Sequence, residues 1–89
     1  MTNRNPTEIT IQILEVVNGY DDNEGIIQTT LMTKLFLNHD QMEEYLMLLI
    51  EDDLISYNST MAKFKATEKG ATFVQGYNQM DKMLKGQQI

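Results

Sequence analysis

The stretch from Asn38 to Lys65 constrains the fold most, because helical and strand periodicities follow one another there with only a tight turn between them. Asn38 is a strong N-cap, and Gln41 three residues on is placed to reach back to the backbone of the cap. From there Met42, Tyr45, Leu46, Leu49 and Ile50 take the i, i+3, i+4, i+7, i+8 spacing of one buried helical face. Asp40, Gln41, Glu43, Glu44, Met47 and Glu51 occupy the opposite face. After Asp52 and Asp53 the pattern becomes Leu54-Ile55-Ser56-Tyr57, the turn formers Asn58-Ser59-Thr60, and then Lys63-Phe64-Lys65-Ala66 in alternation. The order is helix, strand, turn, strand.

The chain before this stretch supplies support. Asn5-Pro6-Thr7-Glu8 is a helix start: Asn5 caps, Pro6 takes the first position where its missing N–H costs nothing, and Glu8 completes a capping box. Ile9, Ile13, Val16 and Val17, widened by Leu14, form the buried stripe, and Gly19 ends the helix. The acidic run Tyr20-Asp21-Asp22-Asn23-Glu24-Gly25 fails as a calcium loop. Aligning Asp21 and Asn23 as its first ligands puts Gly25 at a ligand position and Met32 where a bidentate Glu is needed. It reads as a solvated connector. A second helix over Thr29 to Leu35 faces inward with Leu31, Met32 and Leu35, and Phe36-Leu37 turns the corner into the Asn38 cap. Two helices joined by so short a turn and followed by a hairpin predict a mainly α, α+β fold: a winged helix-turn-helix of three helices and a two-stranded wing.

Thr67 caps a last helix running to about Lys85, with Glu68 in its first turn. Phe73, Tyr77, Met80 and Leu84 step along it by four, three and four, the rhythm of a coiled-coil seam. At 1.5 Å per residue this helix is roughly 28 Å long, about the width of the domain. The domain is expected to cover the Phe73 end, leaving Met80, Met83 and Leu84 for a second copy. The competing arrangement folds this tail onto the first helix. The expected organisation is a winged helix-turn-helix over 1–66 and a dimerisation helix over 67–89 packed on it.

Charge adds a functional constraint. The net charge of -6 is unevenly spread. Asp40, Glu43, Glu44, Glu51, Asp52 and Asp53 lie on the central helix and its end, which carries no Lys or Arg, whereas Lys63, Lys65, Lys69, Lys82 and Lys85 crowd the last third. Eighty-nine residues make one small domain. No apolar run approaches the roughly 18 residues of a membrane span. With no cysteine and no basic-then-apolar leader, the expected location is cytoplasmic.

The order Gln28-Thr29-Thr30-Leu31-Met32, Asn38 to Ile55, and Phe64-Lys65-Ala66-Thr67-Glu68-Lys69-Gly70 resembles the small archaeal winged-helix DNA-binding proteins whose long C-terminal helix pairs two subunits as an antiparallel coiled coil. The Thr-Glu-Lys-Gly that opens the last helix is the most specific match. The resemblance implies a homodimer that binds double-stranded DNA, as a transcriptional regulator or nucleoid protein; no cofactor is expected. Two departures stand out. Asp40, Glu43 and Glu44 occupy the outer face of the recognition helix where such proteins carry Lys or Arg, and Asp53 stands where they have the glycine that ends that helix.

The candidate DNA contacts are Lys63 and Lys65, which alternate around Phe64 on one face of the wing, Lys34 at the end of the second helix, and His39 and Gln41 at the amino end of the recognition helix. The two wing lysines have a plainer alternative as edge-strand charge, and His39 as an ordinary exposed residue. A lone histidine without cysteine makes a poor zinc site. No nucleophile sits beside a base, and no glycine-rich phosphate loop is present, so an enzyme is not expected. Two functions stay open: a dimeric DNA-binding protein, and a protein-docking module whose acidic helix, with Met47, takes a basic protein partner.

Overall fold

The computed structural model describes residues 5–20 and 22–86, with the side chains of 81 and 84–86 excepted. The elements run α1 (Pro6–Asn18), α2 (Gln28–Leu35), α3 (His39–Glu51), β1 (Ile55–Asn58), β2 (Lys63–Ala66) and α4 (Glu68–Gly86). This is the expected winged helix-turn-helix, with three helices, a wing and one long terminal helix. Asp21, Arg4 and the Leu84 and Lys85 side chains lie outside the described residues.

Caps set the helix boundaries. At α3 the Asn38 Oδ1 accepts from the Gln41 N–H at 2.8 Å while Gln41 Oε1 accepts from the Asn38 N–H at 3.3 Å, a complete capping box. At α1 the Asn5 Oδ1 accepts from the Glu8 N–H at 2.8 Å, but Glu8 Oε1 bonds the Asn5 side-chain Nδ2 at 3.2 Å instead of its backbone. The end of α3 is closed by two backbone bonds: the Asp53 N–H donates to Ile50 at 3.0 Å and the Leu54 N–H to Leu49 at 2.9 Å. Such a double bond requires a left-handed residue between them, and Asp53 takes φ 61°. Asp serves where glycine was expected because its short polar side chain tolerates this region better than most.

The core lies where α1, α2, α3 and the wing meet. Ile13, Leu14, Leu31, Met42, Leu49 and Ile55 are fully buried there. Each such side chain stabilises the fold by about 1.5–3 kcal/mol relative to exposure. The α3 stripe is narrower than expected. Met42, Leu46 and Leu49 are buried, Tyr45 is half-buried, and Ile50 is exposed beside the wing. β1 and β2 pair antiparallel with Tyr57 opposite Phe64 and Asn58 opposite Lys63. The connector after α1 is more than a solvated loop: Ile26 forms an antiparallel bridge with Phe64, the two exchanging N–H···O bonds of 2.9 and 2.8 Å. Ile26 is buried, so the wing gains a third, one-residue strand on the outer edge of β2.

Two glycines permit this packing. Gly25 has φ 109°, and a Cβ there would stand 2.5 Å from the Phe64 carbonyl oxygen and 2.9 Å from Lys65 Cγ. A Cβ on Gly70 would overlap the Leu54 carbonyl oxygen, so the first turn of α4 passes backbone to backbone over the end of α3. Val74, one turn on, is buried in the core. Phe73 is not. It is 41% exposed, against the expectation that the domain covers this end of the seam, because Gly70 and Val74 orient α4 with Phe73 pointing off to one side.

Candidate nucleic-acid interface

The helix-turn-helix is α2, the turn at Phe36 and Leu37, and α3. Phe36 takes the left-handed conformation at φ 56°, and the Leu37 N–H donates to the Met32 carbonyl at 3.2 Å, which closes α2 and turns the chain through nearly no loop. Leu37 is buried and so pins the turn, whereas Phe36 is 89% exposed. This places the amino end of α3 at the surface.

The side chains presented there are polar and mostly acidic. His39 is exposed, with its Nδ1 3.4 Å from Glu43 Oε2 and 3.8 Å from Asp40 Oδ1. A protonated His39 would thus meet two carboxylates of its own helix before any phosphate. Gln41 gives its oxygen to the Asn38 N–H, which leaves the amide nitrogen to donate. Bidentate recognition of adenine needs both ends of that amide, so it would require opening the cap. Asp40, Glu43, Glu44 and Glu51 are all exposed along the same helix.

The wing lysines part company. Lys63 points back over the loop, with Nζ 3.3 Å from Asp22 Oδ2 and 3.3 Å from Glu24 Oε1, and only 21% of its side chain is exposed. Asp22 is itself held by the Glu24 N–H at 2.9 Å. That backbone bond, followed by the Lys63 ammonium, lowers the Asp22 carboxyl below its ordinary value, and the Asp22 carboxylate raises Lys63 in turn. Lys65, two residues on, is exposed and has no ion-pair partner among the described residues. The same holds for Lys34 in the last turn of α2. Of the five candidate contacts, Lys34 and Lys65 are therefore the free cations, Lys63 is neutralised, and His39 and Gln41 are engaged within α3. Asp22 and Glu24 escape a reading of local sequence because their partner lies about forty residues away. The only hint is that a loop with this much acid lacks calcium-binding geometry.

The seam residues on α4 share one exposed strip: Phe73, Tyr77, Met80 and, beside them, Met83. Thr72, Phe73, Gly76, Tyr77 and Met80 line a shallow groove, and a Cβ on Gly76 would meet nothing within 4 Å. Among the described residues, no helix is long and apolar enough to cross a membrane.

A recessed α2, a presented α3 and a two-stranded wing define a helix-turn-helix protein of the winged class. A family model for the winged helix-turn-helix matches residues 3–85, and the chain belongs to that family. No curated protein and no solved structure matches the chain.

Proposed function

We propose that the protein is a cytoplasmic homodimer that binds double-stranded DNA as a transcriptional regulator or nucleoid protein. The amino end of α3 faces the major groove, Lys34 and Lys65 lie on phosphates, and α4 is the pairing helix. The observation that carries this reading is the pair of unpartnered lysines, Lys34 and Lys65, on the α2–α3 unit and the wing. Phosphate contacts supply the sequence-independent part of affinity, and two per subunit give four per dimer. The exposed strip on α4 supports pairing, because four large apolar side chains on one helix face otherwise remain in water.

Fluorescence anisotropy of a labelled duplex, titrated with protein at rising salt, tests the reading. Four phosphate contacts correspond to a log–log slope of about -3 to -4. Replacing Lys34 and Lys65 by Ala should weaken binding to all sequences alike. Absence of binding at low salt would sink the proposal.

A second reading has its own observation. Met47 and Leu48, 57% and 52% exposed, stand among Glu43, Glu44 and Glu51 on the face of α3 that DNA would have to meet. Exposed methionine within acidic surroundings suits a basic protein partner. Under this reading the winged helix is a docking module.

A further inference from the structure

The cleft between α3 and the wing carries features that neither the DNA reading nor the packing of the domain uses. Leu46, Met47 and Ile50 from α3 and Tyr57 and Phe64 from the wing line a shallow groove of about 160 Å³, with Gln28 at one end. The rings of Tyr57 and Phe64 form its wing-side wall, their centroids 4.7 Å apart. Met47, Ile50 and Tyr57 are exposed, so the apolar lining is open to water. Glu43 forms part of the rim. The Gln28 Nε2 is buried and has no hydrogen-bond partner among the described residues. A buried donor without an acceptor is costly, and a turn of the half-buried Gln28 side chain into the groove would let it donate to a carbonyl brought there.

From this arrangement we infer that the groove binds a peptide segment of a protein partner in which a large apolar side chain is flanked by Lys or Arg. The inference rests on the second reading above and specifies its site and ligand. The apolar side chain sits against Leu46, Ile50 and Tyr57, a backbone carbonyl of the segment accepts from Gln28 Nε2, and the flanking cations meet Glu43 and the rest of α3. The charge of that helix selects the partner. Asp40, Glu43, Glu44 and Glu51 lie on α3, which carries no Lys or Arg, so an acidic segment with the same apolar anchor is repelled.

The test uses three fluorescein-labelled ten-residue peptides on the full chain: Phe-Leu between two lysine pairs, the same with glutamates for the lysines, and the lysine peptide with Ser-Ser for Phe-Leu. The first should bind at least tenfold more tightly than the other two. Ile50→Ser and Gln28→Ala should each weaken it several-fold, and the Gln28 side-chain amide should shift in the nitrogen–proton spectrum on titration. The amide shift reads the groove in the unsubstituted protein, so the test holds even where Ile50→Ser unfolds. Glu8→Gln with Glu15→Gln, the same change in net charge on α1 and away from the groove, should change affinity by less than twofold.

Peptide binding that resists Ile50→Ser and Gln28→Ala but fails in the Glu44→Gln, Glu51→Gln variant overturns the groove and leaves docking on the acidic face standing. No binding of either lysine peptide overturns both. A duplex that shifts the Gln28 amide when the peptides do not, or a solution mass that falls on Ile50→Ser, puts DNA or a second copy in the groove and overturns the inference.

Discussion

Lys63 Nζ lies 3.3 Å from Asp22 Oδ2, so one of the two wing lysines is held by a loop that precedes it by about forty residues. Removing the hold should release a cation. In Asp22→Asn with Glu24→Gln, duplex affinity at low salt should rise, and the salt dependence should steepen by about one unit for each freed lysine. Glu8→Gln with Glu15→Gln makes the same change in net charge on α1. If it raises affinity as much, the effect is long-range charge and not the release of Lys63.

The same pair predicts a pH dependence. Asp22 is lowered from 3.8 by the Glu24 N–H and then by Lys63, so its contribution to stability is complete above 3.8 and fades as pH falls through the lower folded value. Lys63 is raised from 10.5, so its contribution is complete below 10.5 and fades as pH climbs through the higher folded value. Thermal unfolding of the wild type and Asp22→Asn across pH should show a gap that is flat around neutrality and closes at the acid end. A gap that widens in acid would contradict the assignment.

Backbone conformation gives a third expectation. Asp53 at φ 61° and Ala62 at φ 55° are left-handed without being glycine. Left-handed backbone costs a residue with a Cβ about 1–2 kcal/mol. Ala62→Gly, at an exposed position of the wing turn, should therefore stabilise the protein by about 0.5–1 kcal/mol after the greater freedom of unfolded glycine is discounted. Asp53→Val should destabilise it by at least about 1 kcal/mol, since a β-branched residue fits this region worst. Urea unfolding midpoints at constant slope would measure both.

Pairing through α4 should be visible in solution mass. Tyr77→Glu with Met80→Glu puts two carboxylates on the exposed strip, neither of them in the core, and should convert a dimer to a folded monomer. A wild-type protein that is already monomeric at high concentration would end the coiled-coil proposal.

These expectations divide along a line visible in the sequence. Features fixed by neighbours within a turn or two were legible: the Asn38–Gln41 capping box, Pro6 after Asn5, and the β2 span Lys63–Ala66. Features that depend on meeting a distant segment were not. Ile26 gave no periodic signal of its own, yet it pairs with Phe64 and brings Asp22 and Glu24 over Lys63. Phe73 fits a seam by spacing, but which side of α4 meets the core is decided by the close approach of Gly70 to Leu54, and spacing alone does not record that. In α3 the carboxylates could be counted and the Gln41 cap foreseen, but the turn of His39 toward Glu43 and Asp40 is a matter of side-chain rotamers that spacing does not record.

The junction between α3 and α4 has a geometric consequence. The Thr67 hydroxyl donates to the Asp53 carbonyl at 2.6 Å and accepts from the Gly70 N–H at 3.0 Å, while Lys69 Nζ donates to the Asp52 carbonyl at 2.9 Å. These bonds tie the start of one helix to the finish of the other. In a dimer built on α4, the two α3 helices would thus be held like the jaws of a locked calliper. Their separation would be a property of the fold, and sites whose halves are spaced to any other interval would be refused whatever bases they contain.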